Sequence, residues 1–415
     1  MDIKTKLKDQ LDYVLEKSPF YKAKFNNIKS SKAVEIFDKL PLTTKSEILE
    51  DQRLFPPYGS NICVDIKDIS RVHKTSGTTH SPVIVALTRS DISHVTEVGC
   101  ECFKESGLNE TDIVIHCLNF NMWAGGLTDD LNLEATGATV VPFGVGNTTG
   151  LINMIKLLKA TAIHCTPSYL SKIEQVLRDE FNMRPDQLGL RLGLFGAESG
   201  LQNPQFRKGI EEKWGIIAMN ANYGMSEVLS IIASECRFRN GLHFRAGDKL
   251  YVELLDTESG KTIPIEKEAS GELVFTNLLK QAQPLVRYRT GDVVKIIDLE
   301  CECGNNGFIF EVIGRSDDLL VIKGLNVFVS AIETVISRQV ENFNGIYEVL
   351  VSRQDPIEDI VIRVEQINNT NKDELIKNMR VDFKNTLNIT VEIELLSEGV
   401  LERTEGKSKR VKRVL

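Results

Sequence analysis

The chain has no apolar run approaching the length of a bilayer span, so no membrane-crossing helix is expected. Its beginning, Met1-Asp2-Ile3-Lys4-Thr5-Lys6, lacks the apolar core of a secretory signal. An excess of positive charge is missing too. With 50 Lys and Arg against 58 Asp and Glu, the net charge is −8, which argues against a general nucleic-acid binder. The basic C-terminal tail is too short and local to reverse that. Internal repeats and low-complexity segments are absent. A P-loop is also missing, because Gly406-Lys407-Ser408 has no glycine five positions before Gly406. What remains is an ordinary composition, 42% hydrophobic and 26% charged over 415 residues, enough for two or three domains. The eight cysteines, without a secretion signal, read as reduced thiols or metal ligands rather than disulfides, and a cytoplasmic location is the default.

Leu7, Leu11, Val14 and Leu15 recur at helical spacing over residues 3–17, and Pro19 ends that pattern. Thr44-Lys45-Ser46-Glu47 reads as a capping box opening a second helix. From about residue 90, short apolar runs alternate with amphipathic stretches: Asp112–Leu118, Ala138–Pro142, Thr161–Cys165 and Leu192–Phe195. That alternation predicts an α/β architecture of mostly parallel strands flanked by helices, with ligands at the carboxyl ends of the strands. After residue 245 the pattern becomes β-ribbon, with strands expected over Leu250–Asp256, Glu272–Thr276, Asp292–Asp298 and Phe308–Ile313. The last hundred residues mix strands (Tyr347–Ser352, Asp359–Glu365, Ile389–Leu395) with helices near 330–341 and 373–387, a small α+β unit. The polar segment Gly314-Arg315-Ser316-Asp317-Asp318 lies between two apolar strands and marks the expected boundary, giving domains 1–314 and 315–415.

Five segments can carry chemistry. Thr75-Ser76-Gly77-Thr78-Thr79 packs hydroxyls and a glycine into one loop able to wrap phosphate oxygens, although an isolated cluster of this kind is more often a polar turn. Tyr223-Gly224-Met225-Ser226-Glu227 offers a stacking face, a hydroxyl for phosphate and a carboxylate for Mg²⁺, against the alternative of a buried Tyr-Gly turn. In Tyr288-Arg289-Thr290-Gly291-Asp292, a tight turn would hold a carboxylate for two ribose hydroxyls, though Thr-Gly-Asp is also a common hairpin turn. Arg315 supplies a forked cation next to the expected hinge. The tail Arg403-Thr404-Glu405-Gly406-Lys407 puts a lysine on a terminus that in most proteins is simply frayed and solvated.

In this order the five segments resemble the adenylate-forming superfamily of acyl-CoA ligases, adenylation domains and luciferases. The closer resemblance is to the phenylacetate-CoA ligase branch, over nearly the whole chain. It is carried by Ser18-Pro19-Phe20-Tyr21 with Leu40-Pro41-Leu42-Thr43-Thr44-Lys45, by Gly193-Leu194-Phe195-Gly196-Ala197-Glu198, and by the run Asp317–Phe328. The resemblance implies that Thr75, Ser76, Gly77, Thr78 and Thr79 bind ATP phosphates and that Gly196, Ala197 and Glu198 line the adenine site. Tyr223, with Gly224, would pack on adenine, while Ser226 and Glu227 manage phosphate and Mg²⁺. Asp292 would hold the ribose, Arg315 would lie near ribose and phosphate, Asp317 would be the pivot of a small mobile lid, and Lys407 would stabilise the adenylation transition state. One departure stands out: the phosphate loop of this family normally ends Thr-Gly-Lys-Pro, and here it reads Thr79-His80-Ser81-Pro82.

Cys236, His243, Cys301 and Cys303 form a Cys/His/Cys/Cys set suited to a closed, structural Zn²⁺ site, weighed evenly against buried thiols and a solvated histidine; the resemblance favours the metal. Phe120 and Trp123 are positioned in sequence to flank an aromatic or apolar acid. Asp129 either faces a cationic group of the substrate or, more in keeping with base chemistry, sits with Asp130 at a solvated helix start where the dipole favours it. The expected activity is ATP-dependent, AMP-forming ligation of a carboxylic acid to coenzyme A. The alternatives are an adenylation protein loading an aryl or amino acid onto a carrier protein, and a nucleotide-binding protein without catalysis. A homodimer is compatible with all three, and neither nucleic acid nor membrane is expected as a partner.

Overall fold

A computed structural model of the chain describes residues 2–75, 82–198, 200–305, 307–316, 319–322, 325–339, 343–352, 357, 359–366, 371–401 and 410–414. Residues 76–79 of the expected phosphate loop, the expected pivot Asp317 and Lys407 lie outside the described residues. The chain forms two compact units, one of residues 1–111, 119–140 and 221–312, the other of residues 112–118, 141–220 and 313–415.

The first unit opens with the helix Ile3–Lys17, whose stripe of Leu7, Leu11 and Val14 is buried as its spacing requires. Pro19 does more than end it. With φ preset for a first turn, it starts a new helix, Pro19–Lys24, capped by Ser18, whose Oγ accepts from Tyr21 N at 3.2 Å. These helices pack with Phe25, Phe37 and Leu40 on Leu278 and Val286. The capping box at Thr44 is present: Oγ1 accepts from Glu47 N, Glu47 Oε2 accepts from Thr44 N (2.8 Å), and the helix Lys45–Leu54 follows. A hairpin, Arg71–Lys74 with Ile84–Leu87, brackets the phosphate loop. The strands of the ribbon region are Leu250–Leu255, Ser270–Asn277 and Tyr288–Asp298, antiparallel to one another, as are Leu229–Ser234 with Leu242–Phe244 and with Ile217–Met225.

In the second unit, Leu192–Gly196, Ala162–Cys165 and Ile113–His116 are neighbouring parallel strands. All four residues of Ala162–Cys165 are buried, which is why the sequence shows a continuous apolar run rather than alternation. Helices Thr148–Leu158, Tyr169–Val176 and Pro204–Trp214 cover them, and Ile115, Ile163, Phe195 and Trp214 share one core. Residues from Leu320 onward form a separate hydrophobic cluster, in which Ile332, Val349, Ile362 and Phe383 are fully buried. It joins the helices Val329–Ile336 and Lys372–Leu387 to a sheet ordered Glu392–Ser397, Ile360–Gln366, Phe343–Val351, Val411–Arg413. The architecture is α/β with a C-terminal α+β region, as the sequence pattern predicts.

Candidate active site

In the first unit a cluster forms around Glu227. The N-terminal segment is stitched to the strand Tyr288–Asp298: Thr43 N donates to Arg287 O (2.8 Å) and Arg289 N donates to Thr43 O (2.9 Å). That stitching places Lys45, the first residue of its helix, with Nζ 2.9 Å from Glu227 Oε1. Tyr288 Oη donates to the same oxygen at 3.5 Å, and Lys280 Nζ donates to the Glu227 backbone carbonyl at 2.5 Å. Burial pushes the Lys280 ammonium down to about 8, while Asp91 and Glu227 pull the other way. Glu227 is itself buried, so its carboxylate is held where an oxygen-seeking cation could meet it.

Tyr223 lies on the strand Ile217–Met225, with its ring edge-on to Phe310 at 5.3 Å between centroids. Its hydroxyl donates to Asp292 Oδ2 at 2.8 Å, so the two residues expected at adenine and ribose are hydrogen-bonded to each other. Glycine is required after Tyr223, because a Cβ on Gly224 would come 2.3 Å from the Ser230 carbonyl oxygen across the hairpin. Asp292 does not sit in a tight turn, as the sequence led us to expect. It lies inside the strand Tyr288–Asp298 beside an irregularity in pairing, where Gly291 has φ of 77° and its amide donates to Glu272 Oε1 (3.0 Å). A strand with an extra residue re-aims a side chain as a turn would, and only glycine adopts that φ cheaply. The Asp292 amide is satisfied by Thr290 Oγ1 at 2.9 Å.

The neck of the phosphate loop is closed by Thr75, which is buried: its amide donates to Val83 O (3.0 Å) and its Oγ1 accepts from Val83 N (3.1 Å). Lys74 N donates to Met122 O (2.9 Å), which sets the end of the strand Arg71–Lys74 beside the segment that carries Phe120 and Trp123, both half-buried. His73 reaches the same segment, with Nε2 3.0 Å from Thr128 Oγ1.

Asp129 is not at a solvated helix start. It lies within the helix Ala124–Glu134 and is completely buried, accepting from Asn222 Nδ2 (2.5 Å) and Asn132 Nδ2 (3.4 Å). Burial raises its pKa well above the ordinary carboxylate value. Sequence reasoning misplaced it because acidity on a helix is a local cue, whereas this helix buries that face against other elements. A carboxyl whose ionised form is disfavoured by burial is a poor counter-charge for a cationic acid. Asp130 is half-buried and also raised, by burial and then by Glu134. Because the folded pKa of Asp129 is raised, its contribution to stability is complete below the unfolded value near 3.8 and is lost as pH climbs toward the folded value. Asp129→Asn removes that loss, and the buried Asn132 Oδ1, which has no partner among the described residues, can turn to accept from the new amide. We expect the variant to gain on wild type by about 1.4 kcal/mol per pH unit across that window. Thermal melts of both proteins at pH 5 and pH 8 check this, and a gap that does not widen would place the Asp129 titration at its ordinary value.

In the second unit, Ala197 follows the strand Leu192–Gly196 with φ of 66°, a conformation that costs a non-glycine residue and is typical of binding turns. Glu198 accepts from Ser168 Oγ (3.0 Å) and Ser168 N (3.2 Å); burial raises its carboxyl, opposed by Arg410. His116 and His164, at register-paired positions of adjacent parallel strands, stack with Nδ1 atoms 2.9 Å apart, and burial lowers His164 far below its usual value. The sequence signal for this pair was a His-Cys dipeptide near the end of two of the apolar runs, Asp112–Leu118 and Thr161–Cys165. Arg315, half-buried, ends the strand Ile309–Arg315.

The four candidate metal ligands are brought together in the first unit, all their donor atoms within 4.8 Å of one another. Cys236 and Cys301 sulfurs are 3.9 Å apart, and Cys303 Sγ is 3.6 Å from His243 Nδ1. A tetrahedral Zn²⁺ with Zn–S near 2.3 Å requires sulfurs about 3.8 Å apart, so the set fits. Asn240, which sequence reasoning missed, has Oδ1 3.1 Å from His243 Nε2, an arrangement that leaves Nδ1 for a metal.

Residues 13–278 match the AMP-binding enzyme family and residues 324–413 the AMP-binding enzyme C-terminal domain. The phenylacetate-coenzyme A ligase of Aromatoleum evansii is 30% identical over 419 residues, covering 98% of this chain and 92% of the relative. That of Escherichia coli K12 is 29% identical over 417 residues, with the same coverage of 98% and 92%. Among solved structures, a 2-hydroxyisobutyryl-CoA ligase in the postadenylation state with 2-HIB-AMP shares the fold, with TM-score 0.90, 23% identity, and coverage of 99% of this chain and 89% of that one. The same ligase with 2-HIB-AMP and CoA in the thioesterification state gives 0.71 at 24% identity, covering 99% and 88%.

Proposed function

The chain belongs to the AMP-binding enzyme family, in its phenylacetate-CoA ligase-like branch, and from that premise we propose how its residues divide the work. It is an ATP-dependent, AMP-forming acid–thiol ligase: a carboxylate attacks the α-phosphate of ATP, giving acyl-AMP and pyrophosphate, and the acyl group then passes to the thiol of coenzyme A with release of AMP. In our reading Tyr223 and the Gly196–Glu198 turn take the adenine, Asp292 the ribose, and Thr75 to Thr79 with Ser226 the phosphates. Glu227 holds Mg²⁺, which would neutralise charge on the phosphate chain. The observation that carries this reading is the pairing of Tyr223 with Asp292, 2.8 Å apart beside the cluster built on Glu227. Phe120 and Trp123 flank the acid, which is aryl or small and substituted; the burial of Asp129, which raises its pKa, speaks against an amino-bearing one.

Residues 315–415 act in this reading as a lid carrying Lys407 and turning about Asp317. Support comes from the separate hydrophobic cluster beyond Leu320 and from the polar stretch Gly314–Asp318 before it. Among the described residues no helix is long and apolar enough to cross a membrane. We assign the protein to the cytoplasm and free coenzyme A, rather than a carrier protein, as acceptor. ATP–pyrophosphate exchange across a panel of carboxylic acids, followed by thioester formation with free coenzyme A, tests the whole scheme. No exchange with any acid would sink it, and exchange with transfer only to a carrier protein would move the acceptor.

We further propose one structural Zn²⁺ per chain on Cys236, His243, Cys301 and Cys303, closed to substrate and stapling the ends of the strands that lead to the site. Metal analysis of protein purified without a histidine tag should return one zinc. Cys303→Ser should lower Tm on the order of 5 °C or more while leaving the exchange rate of the folded protein nearly unchanged. Sub-stoichiometric metal, or an equal loss of stability and rate, would count against a structural site.

A further inference from the structure

A buried hydrogen bond joins two segments that serve different substrates. Asp129 is completely buried on the helix Ala124–Glu134, and Asn222, half-buried on the strand Ile217–Met225, donates to its Oδ2 from Nδ2 at 2.5 Å. Asn222 precedes Tyr223, whose hydroxyl donates to Asp292. Successive residues of a strand point to opposite faces, so Asn222 grips the helix without drawing Tyr223 away from Asp292. The helix end of the bond is tied as closely to the other substrate's segment. The helix begins directly after Trp123, and a Cβ on Gly126 would come 2.3 Å from the Asn119 carbonyl oxygen and 2.8 Å from Phe120 Cα. The backbone that carries Phe120 therefore lies against the first turn, and a shift of the helix moves both aromatic residues with it.

A carboxyl is a costly choice for this place. An apolar side chain of similar size would fill the space with no polar group to satisfy. Instead a second amide is supplied, Asn132 Nδ2, 3.4 Å from Asp129 Oδ1. Room for it comes from Gly99 in the middle of the helix Arg89–Glu105, where a Cβ would stand 2.2 Å from Asn132 Nδ2, although glycine weakens a helix interior. What a satisfied polar network gives that leucine does not is direction, because it fixes both distance and angle between the elements it joins. We propose that Asp129 and Asn222 are a positioning pair for adenylation, setting the segment of Phe120 and Trp123, and so the acid, in register with the nucleotide held by Tyr223 and Asp292. Neither residue touches a substrate in this scheme. The inference rests on the ligase reading above. In-line attack on the α-phosphate tolerates little error, since a misplacement of about 1 Å costs on the order of a hundredfold in rate.

The test uses the full-length protein well below its melting transition. Pyrophosphate exchange is measured at saturating ATP and acid, and affinity for AMP alone by titration calorimetry. Asn222→Leu removes the donor, whereas Asp129→Asn keeps an acceptor for Asn222. Asn222→Leu should slow saturated exchange about tenfold or more while changing AMP affinity less than about twofold, because the nucleotide site stays whole and only its register with the acid is lost. Asp129→Asn should retain about half of the wild-type rate or better. If Asn222→Leu does not fold, Asn222→Ser, too short to reach Asp129, is read in its place. An unchanged saturated rate overturns the proposal. So does a parallel fall in AMP affinity, which would make Asn222 a prop for Tyr223 alone, and so does an equal loss of rate in Asp129→Asn. A wild-type protein without exchange on any acid overturns the ligase reading itself, a result distinct from all three.

Discussion

Replacing Lys407 with alanine is expected to slow acyl-adenylate formation a hundredfold or more, about 3 kcal/mol of transition-state stabilisation, while thioester formation from supplied acyl-AMP stays nearly unchanged. The asymmetry follows from when charge develops. In the first half-reaction the carboxylate and the α-phosphate, both anionic, are forced together, and Lys407, in the proposed lid, would supply the cation that offsets their repulsion. In the second, a thiol attacks a mixed anhydride whose leaving group, AMP, is already held through its base and ribose, and this lysine has no comparable task. ATP–pyrophosphate exchange reads the first step alone, and release of AMP from added acyl-AMP and coenzyme A reads the second. Equal loss in both would remove Lys407 from the adenylation role, and retention of both would make the Arg403–Lys407 signature a solvated tail.

Asp317→Pro should separate the same two steps by a different route. Proline fixes φ near −65° and deletes a backbone donor, so a pivot at this position would be frozen in one orientation. Frozen where Lys407 serves adenylation, the enzyme keeps pyrophosphate exchange and loses thioester formation by a large factor. Both rates falling together in folded protein would reduce Gly314–Asp318 to a linker. Full retention of both would place the rotation elsewhere.

The parts of the site that were legible in the sequence are those whose cause is local. The Thr44 capping box needs only the spacing of Thr44 and Glu47, and the helix Lys45–Leu54 followed. The Cys/His set could be proposed because zinc imposes ligand types, although Asn240, which orients His243, left no such mark. Tertiary placement was out of reach. Nothing near Lys45 announces Glu227 as its partner, since the strand Tyr288–Asp298 delivers it. Thr290-Gly291-Asp292 looks like a hairpin turn until Glu272, on the neighbouring strand, claims the Gly291 amide and makes it a bulge. Asp129 was misread for the same reason: a helical aspartate is exposed by default, and only the packing of its helix decides otherwise.

That burial has a consequence for how the chain exchanges protons with its solvent as it folds. An unfolded Asp129 ionises at a lower pH than the folded one, so between those two values folding draws a proton in. His73, lowered to about 4 by burial, and His164, lowered well below its usual value, do the reverse: each holds its proton to a higher pH when unfolded and gives it up on folding. The opposing fluxes partly cancel, so the heat of folding of the wild-type chain in mildly acid solution should depend less on the ionisation enthalpy of the buffer than the histidines alone would make it. With asparagine at position 129 one proton of that uptake is removed and the balance shifts toward release. The same calorimetric experiment in two buffers should then diverge, and the acid side of the stability curve should steepen.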